Sequence, residues 1–541
     1  MRSPNRLGNQ QVAAIGIVLL AALAAYPLAQ SIVTESYGEL FITLAFVVGA
    51  FFTILILREW RLGVVLFFVW VVFEDLMRKF LGNNMLVYLT KDIIIFAAYG
   101  SFLLALAQRK ETMAKNPLRI PLLAFVTWVF IETLNPYLEN YLVPVLGLRM
   151  SLLYVPLLYL GYGFFRKEEN LRRFWLLMLG IAALTSLLGI TQSIVGLDFL
   201  NPASAPNLRL YLVRYAPGSG AAVPRPTSTF VDAGRFAQYM MVMAFVGLGI
   251  VAYLYNSAAS VKRSTRLLAW AGWAMILIGL FLSGQRAAIL WITVSFAAIF
   301  FGWSVISGLS RTRTRSRLNF PVGWVLAAGL CVLFLAALAS PERFRSTFSF
   351  YTETMDPSSQ YTEFSSRPQQ HFRLTAFAWE QSEWLGHGTG SASLGLQYVS
   401  PLLRDQEAYK FRDQVEGGYA AVLWEWGIIG LVLWLWWSLL LLKVMAQTVW
   451  KLRDTRFFWL ASAITMCIFF ILFPSFFMGW QIYQNYLTQS FIWFLIGMLF
   501  RLPHFLSDQP ADALAGAPTG PRRWFRPPVW VGSSFRTARL R

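Results

Sequence analysis

Charge is scarce in this sequence. Only 13% of its 541 residues are Asp, Glu, Lys or Arg, against roughly 25% in a soluble domain, so a water-soluble globular fold is excluded. Cysteine is nearly absent too: Cys331 and Cys467 both lie inside apolar runs, which excludes a disulfide framework or a cysteine metal site. The glycines Gly386, Gly388 and Gly390 lack a following lysine and a preceding strand, so they are not a nucleotide P-loop. No internal repeat is present.

What remains is apolar and aromatic. Hydrophobic residues make up 57% of the chain, with 22 Trp, 21 Tyr and 45 Phe, and the mean hydropathy is +0.53. This is the composition of an all-α polytopic membrane protein with interfacial aromatic belts. Apolar stretches long enough to cross a bilayer as helices fall near residues 12–30, 37–57, 62–76, 91–107, 119–134, 150–165, 173–195, 236–255, 266–283, 287–305, 320–340, 419–442, 457–475 and 484–500. About 14 transmembrane helices are therefore expected. Arg2 and Arg6 ahead of the first run also suit a signal peptide, but further spans follow at once and the run reads as an uncleaved span.

Net charge is +19, and its placement speaks to topology and against a nucleic-acid partner. Basic clusters fall on alternate connections: Arg58–Arg61, Arg109–Lys115, Arg166–Arg173, Lys262–Arg266, Arg311–Arg317, Lys451–Arg456, and the tail with Arg522, Arg523, Arg526, Arg536, Arg539 and Arg541. These mark the cytoplasmic side, with both termini on it. Residues 1–340 then hold eleven spans, 341–418 a large external loop, 419–500 three spans, and 501–541 a basic cytoplasmic tail of disordered composition. The external loop carries seven Lys/Arg and ten Asp/Glu, without the cytoplasmic bias. The external side also receives Glu74–Asp92, the Pro- and Gly-rich segment 196–235, and the tight turn Ser283-Gly284-Gln285-Arg286.

Several charges on that side are candidates for chemistry. Arg286 stands at the mouth of a span, where a charge is costly and marks a functional position unless it snorkels to headgroups. Arg225 is followed by Asp232 and Arg235; arginines on one surface bind phosphate oxygens bidentately, although an ordinary basic loop fits as well. A helix from Pro368 through Trp384 would place Arg373, Phe377, Glu380 and Trp384 on one face, either as an interfacial helix or with Arg373 turned to a cavity. His371 and His387 titrate near neutrality but read as exposed loop histidines. Glu416 and Tyr419 lie one turn apart at a membrane boundary. There a carboxylate can serve as a base or complement a helix N-terminus. Glu425, deeper in that helix, reads as the buried partner of an arginine.

Four stretches carry a family resemblance: Arg225 to Tyr239, Leu282 to Ala288, Trp384 to Ser391, and Tyr419 to Gly430 with Glu425. In order and topology they resemble the O-antigen ligase and O-antigen polymerase superfamily, bacterial inner-membrane glycosyltransferases of GT-C-like architecture. The resemblance implies an undecaprenyl-pyrophosphate-linked glycan donor, a glycan acceptor, no metal or other cofactor, and a chain-length regulator as partner. By resemblance Arg225 and Arg286 hold pyrophosphate and Arg373 matches a basic loop position. Ligases of lipid A core carry a His-Asn pair where this sequence has Glu416-Gly417. Glu416 is then the substitute for that histidine as the acceptor's base, and His387 a weaker one. Glu74–Phe80 with Lys91-Asp92 resembles an element of exopolysaccharide repeat-unit polymerases. The expectation is a polymerase acting on the external face. The alternatives are a ligase to lipid A core or protein and, in another class, a lipid-linked-glycan flippase.

Overall fold

The structure is a computed structural model. It describes residues 49–507 apart from 82–84, 114–115, 139, 203–212, 258–260, 310–340, 357–362, 383 and 394–414. The expected spans 12–30 and 320–340, most of 37–57, and nearly all of the basic tail lie outside the described residues.

Helices dominate: α1 Trp60–Phe80, α2 Met85–Ala107, α3 Arg119–Ile131, α4 Leu142–Leu152, α5 Leu157–Phe164, α6 Glu168–Val195, α7 Ala233–Asn256, α8 Arg263–Leu282, α9 Arg286–Leu309, α10 Pro341–Met355, α11 Glu363–Gln381, α12 Gly418–Leu452, α13 Phe458–Phe470 and α14 Tyr486–Arg501. One antiparallel hairpin, β1 Val213–Tyr215 with β2 Ala222–Pro224, pairs Arg214 with Val223. Among the described residues, eight helical segments are long and apolar enough to cross a membrane. The chain is thus a multi-pass membrane protein by composition and helix length.

The expected spans are corrected in places. The run 119–134 forms only the 13-residue α3 and a following 3-10 turn, about 20 Å of helix where a bilayer core needs about 30 Å. The run 62–76 becomes the 21-residue α1, whose last turns carry Glu74, Asp75, Arg78 and Lys79. The run 150–165 is the second half of a broken segment, Leu142–Phe164, interrupted at Pro156, which has no amide to continue the ladder.

Helix α7 is the hub. It is buried along nearly its whole length, as expected of a helix apolar on every side, and it packs on α6, α8, α9, α13 and α14. Small residues let backbones meet: a Cβ on Gly497 of α14 would sit 2.0 Å from the Leu158 carbonyl oxygen of α5. Aromatic rings fill the space beside that contact, with Phe68, Phe164, Phe174 and Phe494 all within ring-packing distance.

The two ends of the bundle differ. At one end the basic connections meet each other: Arg61 and Arg166 both pair with Glu111 at 2.6 Å, Arg456 pairs with Glu168, and Arg501 donates to the Phe165 carbonyl at 3.1 Å. At the other end the segments 74–92, 196–235, 283–286 and 341–355 converge.

Candidate functional site

The convergence is built on the loop from Arg225 to Asp232, which leads into α7. Gln192, near the end of α6, pins it: its side-chain oxygen accepts from the Thr227 and Ser228 amides, both at 2.8 Å. Ser228 takes a positive φ of 52°, a strained state for a residue with a side chain that surrounding bonds must hold in place. Its hydroxyl donates to the Thr185 carbonyl at 2.6 Å. Its own carbonyl receives the Lys79 ammonium at 2.8 Å.

Two cations bond at this loop, Arg225 from within it and Lys79 from the end of α1, and both are buried. Arg225 is 2% exposed and Lys79 1%. Arg225 donates through Nε to the Ser283 carbonyl at 2.9 Å and through Nη2 to Gln285 Oε1 at 3.5 Å. Lys79 donates to Thr227 Oγ1 at 2.9 Å as well as to Ser228. Among the described residues, every one of these acceptors is an uncharged oxygen. The turn that receives Arg225 depends on Gly284, whose φ of +66° belongs to the region glycine alone enters freely.

Arg286 begins α9 directly after that turn, half-buried, with its guanidinium carbon 5.0 Å from the Phe350 ring centroid. Tyr351, the next residue of α10, donates to the Phe281 carbonyl at 2.8 Å. Burial pushes its phenol well up, while Arg225, Arg286 and Arg214 act on it in the opposite sense. Burial also lowers Arg225; Asp232 and Tyr351 oppose that, and Arg286 adds to it. Arg214, Arg225 and Arg286 therefore all act on one phenol. Glu353 clamps the hairpin above them, accepting from the Gly218 and Ser219 amides at 2.8 and 3.1 Å.

Beside this site lies a second set of charges, which is paired. Lys91 meets Glu74 at 2.8 Å with both side chains fully buried. Arg78 and Arg235 share Asp75 at 2.9 and 2.8 Å, and Arg149 holds Asp92 at 2.7 Å. The rings of Tyr88 and Tyr486 lie against these cations. Arg235, a sequence candidate, belongs to this network.

The other candidates are placed as follows. Arg373 is exposed on α11 and makes none of the contacts above. The helix runs Glu363–Gln381 with Pro368 inside it, starting five residues earlier than expected. Its buried face carries His371, Ala378 and the adjoining Ser382, while Glu380 and Trp384 are exposed. Arg373 and Glu380 thus lie on the side away from that buried face, and the helix ends at Gln381, short of the expected Trp384. His371 is fully buried, contrary to its reading as an exposed loop residue. His387 is half-buried and stacks on Trp424 with 4.0 Å between centroids.

Glu425 is corrected as well. Among the described residues no arginine meets it; its two oxygens accept from the Gly390 and Ala392 amides, each at 3.1 Å. It shapes the glycine turn, which runs so close to α12 that a Cβ on Gly427 would lie 2.2 Å from the Trp384 carbonyl. Gly427 also interrupts the helical geometry with φ of 63°. Glu416 is exposed just before α12, and Tyr419 is half-buried, edge-on to Phe476 at 5.0 Å.

Arg225 and Arg286, which act on each other and on Tyr351, are fixed beside one turn and can hold an oxyanion with little reorganisation. Sequence reasoning missed Lys79, Arg214, Tyr351 and the burial of His371. Only Lys79 left a signal, through its place in the charged stretch 74–79. Compared with models of known protein families the chain matches none, and comparison with curated proteins returns no match.

Proposed function

We propose that the protein is a glycosyltransferase that polymerises undecaprenyl-pyrophosphate-linked oligosaccharide repeat units, at the external face of the bacterial inner membrane. The observation that carries this reading is the pair of buried cations bound at one loop, Arg225 within it and Lys79 reaching it from the end of α1, whose hydrogen bonds among the described residues go to uncharged oxygens. A buried charge costs several kcal/mol unless it is paired, and a diphosphate supplies the counter-charge. Arg286 and Arg214 lie at the same place.

In the reaction, a hydroxyl of the acceptor unit attacks C1 of the donor sugar. The C1–O bond breaks, its electron pair leaves on the diphosphate, and Arg225, Arg286 and Lys79 stabilise the growing charge. Each such group is worth on the order of a hundredfold in rate. Arg373 closes the loop region over the donor.

The test uses purified protein in lipid nanodiscs with a synthetic undecaprenyl-pyrophosphate-linked repeat unit. A ladder of longer lipid-linked glycans is expected, and Arg286→Ala should abolish it while the protein remains folded in the disc. Glycan appearing only on lipid A core would assign a ligase. In proteoliposomes, movement of the lipid-linked unit across the bilayer with no new glycosidic bond would assign a flippase.

A further inference from the structure

The start of α12 meets α11 at a place where one side chain stands out. His371 is 0% exposed, and among the described residues neither of its ring nitrogens has a hydrogen-bond partner. Buried imidazole nitrogens are normally satisfied, and leaving them bare costs about 1–3 kcal/mol each. The ring lies 6.0 Å from that of Phe477. On its other side is Gly417, where an added Cβ would come 3.4 Å from Nδ1.

Gly417 is the N-cap of α12 and brings no side chain to cap it. The first amides of a helix lack intrahelical acceptors and carry its positive dipole end. The Ala421 amide already bonds to the Gly417 carbonyl at 2.8 Å; the amides before it precede the first such bond. An uncapped helix start and a bare buried imidazole thus face each other across a glycine, an arrangement suited to an oxygen that accepts from the amides and donates to the ring.

We infer that His371 is the proton acceptor for the attacking sugar hydroxyl, with the first turn of α12 holding the acceptor sugar. This assignment rests on the glycosyl-transfer reading above. As the hydroxyl oxygen bonds to C1 and the diphosphate departs with the C1–O electron pair, the hydroxyl proton passes to a ring nitrogen of His371. The imidazolium then loses it to water. Two charges bear on the ring: Arg367, exposed on α11, and Glu416, exposed before α12. Burial lowers the tendency of His371 to protonate, Arg367 lowers it further, and Glu416 raises it. The neutral ring is therefore the resting form, and the carboxylate of Glu416 favours the imidazolium as it forms. Glu416 acts through His371 and is a positioning residue.

The experiment measures single-turnover transfer between lipid-linked repeat units in nanodiscs from acid to neutral pH, with donor binding measured separately. Wild-type transfer should fall on the acid side with a midpoint below the ordinary histidine value. His371→Gln should transfer on the order of a hundredfold or more slowly, lose the acid limb and bind donor as before. Glu416→Gln should move the midpoint to lower pH, and Arg367→Gln should move it up. Gly417→Ala, which keeps the ring but puts a methyl against it, should also slow transfer without changing donor binding. Transfer by His371→Gln within a few-fold of wild type with an unchanged acid limb would overturn the assignment, as would a parallel loss of donor binding. Wild-type protein that binds donor and makes no glycosidic bond at any pH would remove the transferase reading and this role with it.

Discussion

Replacing Arg225 by Met separates the two uses a buried arginine can have. As a strut, Arg225 contributes its hydrogen bonds to Ser283 and Gln285, about 1.5–3 kcal/mol for bonds from a charged donor. Against this stands the burial of a guanidinium with no carboxylate bonded to it, a penalty of several kcal/mol. Methionine fills much of the same volume with an apolar stem, so the two effects offset each other. The expected change in folding stability is within about 2 kcal/mol of zero, of either sign. Binding of a diphosphate should respond quite differently. Loss of one preorganised cation is worth about 2.7–4 kcal/mol, a factor of about 100–1,000. The assay is titration of nanodisc protein with inorganic pyrophosphate, alongside thermal unfolding with and without it. Wild type at a ligand concentration one hundred times its dissociation constant should gain about 2.7 kcal/mol, and Arg225→Met should gain almost none. A variant that loses about 3–5 kcal/mol of stability yet binds pyrophosphate as wild type does would make Arg225 a strut and refute the reasoning.

The paired network predicts the reverse pattern. Lys91→Met leaves the fully buried Glu74 without its cation and should destabilise the fold by about 3–5 kcal/mol, while Glu74→Leu combined with Lys91→Met recovers most of that in unfolding experiments. Glu425→Leu leaves the amides of Gly390 and Ala392 without an acceptor, at about 1–3 kcal/mol each; hydrogen exchange across 386–393 should speed up. Glu353 gives a pH effect: hydrogen bonds from Ser219 and Ser349 hold its carboxyl down at about 2 against an ordinary 4.5. A depressed acid contributes its stabilisation in full above its unfolded value. Protection of the Gly218 and Ser219 amides should therefore be complete above pH 4.5 and fall as pH drops towards 2, with Glu353→Gln unprotected throughout.

The helices and the sorting of the connections to two ends were legible because both follow from local composition: apolar runs and basic clusters are read without knowing what packs on what. The approach of Arg225 to the turn before Arg286 was legible for the same reason, since both follow from placing their connections at one end. Depth was not legible. Lys79 ends a helix and looks like any snorkelling cation, and its acceptors at Thr227 and Ser228 lie 148 and 149 residues away in sequence. The sequence points to a helix start at Pro368, since proline is tolerated within the first turn, and such a start does not show that His371 is buried. Once the helix begins at Glu363, its neighbours α12 and Phe476–Met478 decide which face is covered. Glu425 was misread because an acid in an apolar run suggests a cation, whereas backbone amides of a glycine turn serve as well and leave no mark in composition.

The contrast between the two charge clusters narrows what the site can hold. Within a few residues of each other, Asp75 answers Arg78 and Arg235, Glu74 answers Lys91, and Asp92 answers Arg149. Among the described residues Lys79 and Arg225 bond only to uncharged oxygens. The protein can evidently place a carboxylate in this end of the bundle wherever a cation needs one. These two cations, bonded to neutral acceptors at a loop held in a strained conformation at Ser228, are where the anionic donor proposed above would bind. Ligand binding would then tie the end of α1 to the α8–α9 turn through the loop between them. Exchange protection of the Thr227 and Ser228 amides should rise when pyrophosphate is added, and acetate at the same concentration should leave it unchanged.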